Sequence, residues 1–146
     1  MTYGTVAGVA ALTPMYTDDG AFRDAGASDV ATNPSLTQVT GWLSDVSALM
    51  DAALAEEAFI TPVTDTDILP ILDLYVEGIV HDIVHYSRKA GRFYSKRALD
   101  AGSSPFNTIS DEITDWVADK ANGFANLGLA RLTGVRPKSS ATFDLL

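Results

Sequence analysis

Six apolar residues, Leu36, Val39, Leu43, Val46, Met50 and Leu54, follow one another at steps of three or four. Only an α-helix gathers such a series on one side, because its 3.6-residue turn stacks positions three and four apart. Trp42 and Leu49 widen the face. A strand would need steps of two, and such alternation is nearly absent from the chain. The series therefore demands one long amphipathic helix, and the remaining elements must cover it. Asn33-Pro34 predicts its start, with Asn as N-cap and Pro at the first helical position. The run Phe59-Ile60-Thr61-Pro62-Val63 predicts its end, at about Ala58.

Three further helices follow from the same reasoning. Thr5 is placed to cap a short one carrying Val6, Val9, Ala10 and Leu12, with Pro14 ending it. A helix opened by Asp65, Thr66 or Asp67 tolerates Pro70 in its first turn, where backbone N–H groups have no partner inside the helix. It should run to about Ala90, or past Gly91 to Leu99. Its broad face of Ile68, Leu72, Tyr75, Val76, Ile79, Ile83 and Tyr86 marks it as the central helix. The last helix is expected near Thr108, with Asp111 or Glu112 favouring its positive end. Ile109, Ile113, Trp116, Val117, Phe124 and Leu127 should be its buried side. Trp42 and Trp116 read as packing residues. Residues 13–33 read as a long interaction loop or mobile segment, with a small hairpin at Asp18-Asp19-Gly20. The predicted class is all-α: a small domain of about four helices over residues 1–133, around a long central helix, with an extended C-terminal tail at 134–146.

Composition excludes several classes. With no cysteine, there are no disulfides or thiolate metal sites. The N-terminus lacks the basic stretch of a signal peptide. Ile68 to Tyr86, the most apolar segment, contains Asp73, Glu77 and Asp82 and is too charged to span a bilayer. The net charge of −9 argues against tight, non-specific DNA binding. The charge is also uneven: residues 1–87 hold 13 acidic side chains and one basic one, whereas residues 88–146 hold 9 basic and 6 acidic. That predicts two surfaces of opposite sign.

The most suggestive chemistry is HDIVH, His81 to His85, two imidazoles one helical turn apart, as at the start of a helical zinc site. A zinc hydrolase also needs a third ligand and a general base. The chain has only these two histidines, and Asp82 is shorter than the usual glutamate. The row Asp73, Glu77, His81, His85, Lys89 is polar throughout and reads as a solvated face, as do Asp51, Glu56 and Glu57. No nucleophile, base and electrophile assemble, so neither an enzyme nor a cofactor or resident metal is expected. Arg88, Lys89, Arg92, Lys96 and Arg97 place half of all basic residues within ten positions. They are candidates for contact with an acidic partner. The tail adds Arg136 and Lys138 before the apolar Phe143, Leu145 and Leu146, a cationic start and apolar end suited to docking.

One arrangement has a family likeness. The opening YGTVAGVAAL, the series V-x-x-W-L-x-x-V-S-A-x-M-D-A-A-L over Val39 to Leu54, and F-I-T-P-V-T over Phe59 to Thr64 together resemble the head–tail connector (adaptor, or head-completion) proteins of tailed bacteriophages. The likeness spans roughly residues 3–130 and leaves HDIVH outside. It implies a non-catalytic virion protein in the neck between capsid and tail, assembled in the host cytoplasm. It further implies a homo-oligomeric ring, commonly of twelve copies, contacting portal and tail-side proteins, through which DNA passes without specific binding and with no membrane. A different class remains open from the residues alone: a non-catalytic helical adaptor or regulator, dimeric or partner-bound.

Overall fold

The computed structural model describes residues 2–26, 29–89 and 105–139, excepting the side chains of 88, 89 and 105–107. It is all-α among the described residues: α1 (Val6–Leu12), a 3₁₀ turn (Pro14–Tyr16), α2 (Leu36–Glu56), α3 (Leu69–Lys89) and α4 (Pro105–Asn126). The central position belongs to α2, and the expectation that the helix after Asp65 would hold it is corrected. Both α3 and α4 pack chiefly on α2, while α1 lies against α3 and α2. The reason lies in the width of its buried face: Ala53 and Ser47 extend the Val39–Leu43–Val46–Met50–Leu54 row, so α2 has two flanks to cover.

Thr5 caps α1, accepting the Gly8 N–H at 2.9 Å. The start of α2 differs from expectation: its N-cap is Ser35, not Asn33, and Pro34 precedes the helix. Ser35 accepts from Gln38 N, and the Gln38 side chain accepts from Ser35 N. This reciprocal box satisfies two orphan donors where an Asn cap would satisfy one. Asp24, from the preceding loop, takes Thr37 N at 2.8 Å and Thr37 Oγ1 at 2.7 Å. These bonds hold its carboxyl below the ordinary carboxylate range. The hairpin is present as a single bridge, Asp18 to Ala21, with Asp19 and Gly20 at the positive φ a tight two-residue turn needs. Phe22 anchors it in the core, and Thr32 ties the loop to Arg23 by both backbone and side chain.

Asp65 opens α3, its Oδ1 accepting from Asp67 N and Ile68 N. The buried row is Ile68, Leu72, Val76, Val80 and Val84, with Ile79 beside it. Ile83 is only half-buried and Tyr86 is 46% exposed, so the predicted face was turned too far. The i, i+4 row tilts across the helix surface, and the residues on it are the buried ones. Helix α4 starts at Pro105, not Thr108, which leaves Asp111 and Glu112 beyond its first turn. Ile109, Ile113, Val117, Ala121 and Phe124 form its inner side. Tyr75 stacks on Trp116 with centroids 3.8 Å apart, joining α3 to α4.

Two helices end alike. In α2, Phe59 N bonds to Leu54 O and Ala58 N to Ala55 O; in α4, Leu129 N bonds to Phe124 O and Gly128 N to Ala125 O. Ala58 (φ 64°) and Gly128 (φ 95°) occupy the left-handed position of this Schellman closure. It swings Leu129 inward and leaves Leu127, predicted buried, 54% exposed. The two exits then pair antiparallel, with Ile60 N on Ala130 O and Leu132 N on Ala58 O.

Leu43 is 2% exposed and Asp45 lies on the outer side of the same turn. Leu43→Asp is expected to abolish folding, because an unpaired buried charge costs several kcal/mol against a total of about 5–15. Asp45→Ala should leave the thermal transition nearly unmoved. Equal tolerance of both, measured by circular dichroism melting, would contradict this packing.

Candidate functional site

The residues that join distant parts of the chain are concentrated in three places. The first is Tyr3, fully buried although it stands near the chain start. Its N–H donates to Ser47 Oγ at 2.9 Å, its hydroxyl donates to Asp51 at 2.5 Å, and the same hydroxyl accepts Val63 N–H at 2.8 Å. Burial and the Asp51 contact push the phenol pKa well above its ordinary value, so the hydroxyl keeps its proton and remains a donor. Asp51, expected on a solvated face, is therefore an internal acceptor.

The second place is the row containing HDIVH. Instead of facing solvent, Asp73, Glu77, His81 and His85 are all half-buried. Asp73 accepts Gly4 N at 2.7 Å and Glu77 accepts Thr5 N at 2.9 Å. The Glu77 carboxylate lies so close over α1 that a Cβ on Gly8 would collide with it. Gly4, at φ 76°, needs glycine both for its backbone and for its closeness to Glu77. Further along, His85 Nδ1 lies 3.4 Å from the Tyr16 hydroxyl, His81 Nδ1 lies 2.9 Å from Asp82, and the imidazoles are stacked 6.0 Å apart. The row is the seam on which α1 and the 3₁₀ turn dock. Among the described residues, no three His, Asp or Glu side chains come together in a way that could hold a metal ion.

The third place is the C-terminal end of α2. Glu57, read from sequence as solvated, is 2% exposed. Its carboxylate accepts Ser139 N at 3.1 and 3.2 Å and Ser139 Oγ at 2.5 Å. Its backbone carbonyl accepts Arg131 Nε at 3.2 Å, and the Arg131 guanidinium lies 4.5 Å over the Phe59 ring. Next to it, Lys138 pairs with Glu56 at 3.0 Å. Residues 134–139, expected to belong to an extended tail, are tied back to α2.

Of the residues singled out as a contact surface, Arg88 and Lys89 sit at the end of α3. Arg92, Lys96, Arg97, Phe143, Leu145 and Leu146 lie outside the described residues. Lys138 and Arg136 share the tied-back segment, on which Lys138 meets Glu56. Sequence reasoning missed Tyr3, Glu57 and Ser139. The Glu57–Ser139 contact spans 82 positions, so no local pattern announces it. No described helix is long and apolar enough to cross a membrane. Comparison of the chain with protein-family models, with curated proteins and with solved structures found no match.

Two outcomes follow from the seam. Gly8→Ala should cost about 1 kcal/mol by displacing the Glu77 carboxylate from Thr5, although alanine is the better helix former. In a Glu77→Ala background the same change should be neutral or stabilising, a sign reversal that a double-mutant cycle by chemical denaturation would detect. Replacing both His81 and His85 with alanine should leave the chain folded with a modest loss of stability, since the Tyr16 contact goes with His85, and purified parent protein should carry no stoichiometric zinc by elemental analysis. Stoichiometric zinc in the parent, lost in the double variant, would overturn the reading of HDIVH as a docking seam.

Proposed function

We propose that this chain is a structural protein of the virion neck, a head–tail connector. Copies assemble, in the host cytoplasm, into a ring of about twelve between the portal and the tail-side proteins, as the family likeness implies. The ring extends the DNA channel, and DNA passes along it without specific binding. The subunit works through protein contacts, without catalysis, cofactor or resident metal.

One observation supports this reading. The three segments that bear the family likeness meet at one buried junction. Tyr3 belongs to the opening YGT segment, Ser47 and Asp51 to the Val39–Leu54 series, and Val63 to the F-I-T-P-V-T run. All four are joined by the hydrogen bonds of Tyr3. The likeness thus falls on residues that form one packed unit, as expected for a shared subunit architecture. The charge distribution supports a ring as well. A ring is built from heterologous contacts, in which one face of a subunit meets a different face of the next. A chain with an acidic part and a basic part can supply complementary faces.

Native mass spectrometry of the 15.5 kDa chain, alone and with portal protein, tests the proposal. A large ring or a portal co-assembly is expected, and a dimer indifferent to portal would point instead to an adaptor of another system. Charge reversal at Arg88, Lys89 and Arg92 should weaken assembly more than it weakens the monomer fold, and salt should weaken assembly of the parent, because exposed charges are screened over about 10 Å at 0.1 M. Ring formation unchanged by the triple reversal would remove the basic cluster from the contact.

A further inference from the structure

We infer that residues 134–139 are a strap with a clasp. The clasp is the Glu57–Ser139 contact, and it fixes where the last seven residues, 140–146, leave the domain. The inference concerns the free subunit and does not depend on the neck assignment.

Glu57 is the only charged residue among the described ones that is buried. A carboxylate taken out of water is costly unless donors meet it. Here both donors come from Ser139, through its backbone N–H and its hydroxyl. Two nearby cations are engaged elsewhere, Arg131 Nε on the Glu57 backbone carbonyl and Lys138 on Glu56. Opening the strap would therefore strip the carboxylate of the donors that Ser139 supplies. The closed state is favoured by the cost of leaving that acceptor unsatisfied.

The strap has a turn at its base, where Gly134 adopts φ 78°. It lies beside the paired exits of α2 and α4, where Ile60, Leu132 and Val135 are exposed. With the clasp closed, Phe143, Leu145 and Leu146 can reach no farther than about 25 Å from Ser139, at roughly 3.3–3.6 Å per residue. With it open, the chain from Gly134 onward would sweep about 40 Å. A short, rooted segment is presented to a nearby partner at higher effective concentration than a long loose one. Glu57 is thus a positioning residue for the apolar chain end.

Trypsin reads the clasp directly. Cleavage after Lys138 releases the peptide SSATFDLL, whereas Arg136 is protected by the proline that follows it. Mass spectrometry of that peptide measures how often the strap opens, when opening is fast relative to cutting. In the folded parent, release should be at least about tenfold slower than in heat-unfolded protein, and Ser139→Ala should speed it by about tenfold while the thermal transition falls by only a few degrees. Glu57→Gln should also speed release, and adding Ser139→Ala to it should do little more, since both act through one contact. Should Glu57→Gln fail to fold, Ser139→Ala alone carries the test. Release from the parent at the unfolded rate, or no change on Ser139→Ala, would overturn the strap.

Discussion

Helix α2 has to be buried on two flanks at once, and the rest of the fold follows from that requirement. Its inner face is too wide for one neighbour, so α3 and α4 each take a side. The same constraint explains why both ends of α2 are so heavily fastened. At the start stand the Ser35–Gln38 box and the Asp24 bonds to Thr37. At the end stand the Schellman closure, the bridge to Arg131 and the buried Glu57. Between them, Tyr3 pins the chain start to the middle of the helix through Ser47 and Asp51.

The acidic surplus takes on a different meaning in this setting. Of the 13 carboxylates in residues 1–87, Asp24, Asp51, Glu57, Asp65, Asp73 and Glu77 accept hydrogen bonds from backbone or hydroxyl groups of this chain. These side chains satisfy helix starts and chain crossings that would otherwise leave donors unpaired. Part of what looks like a surface field is therefore internal fastening. Other carboxylates of that half stay exposed, Asp19, Asp29 and Asp45 among them.

HDIVH illustrates the same point from the opposite direction. Spacing put both imidazoles on one side of a helix, and the structure keeps them there, stacked 6.0 Å apart. Its polarity suggested a solvated face, whereas packing gives the row a different task. Its first two members hold the start of α1, and His85 faces Tyr16 of the following turn. Polarity at regular spacing identified a special row without revealing what it would face.

By itself the sequence determined the helical class, the α2 core row, the Thr5 cap, the opening of α3 within Asp65 to Asp67 and the turn at Asp19-Gly20. Each of these is set by side chains within about one or two helical turns of one another, so local periodicity and local hydrogen bonding suffice. Only the tertiary structure decided that α2 is central and that Val80 and Val84 are buried where Ile83 and Tyr86 are not. It alone also decided that Glu57 lies inside. Ile83 and Val84 are equally apolar, and Glu56 and Glu57 are the same residue side by side. What separates them is the surface that arrives from elsewhere in the chain: α2 against one edge of α3, and Ser139 from 82 positions away against one of two glutamates. Which neighbour arrives is settled by the joint burial of the described helices, a sum over distant segments that no local window contains.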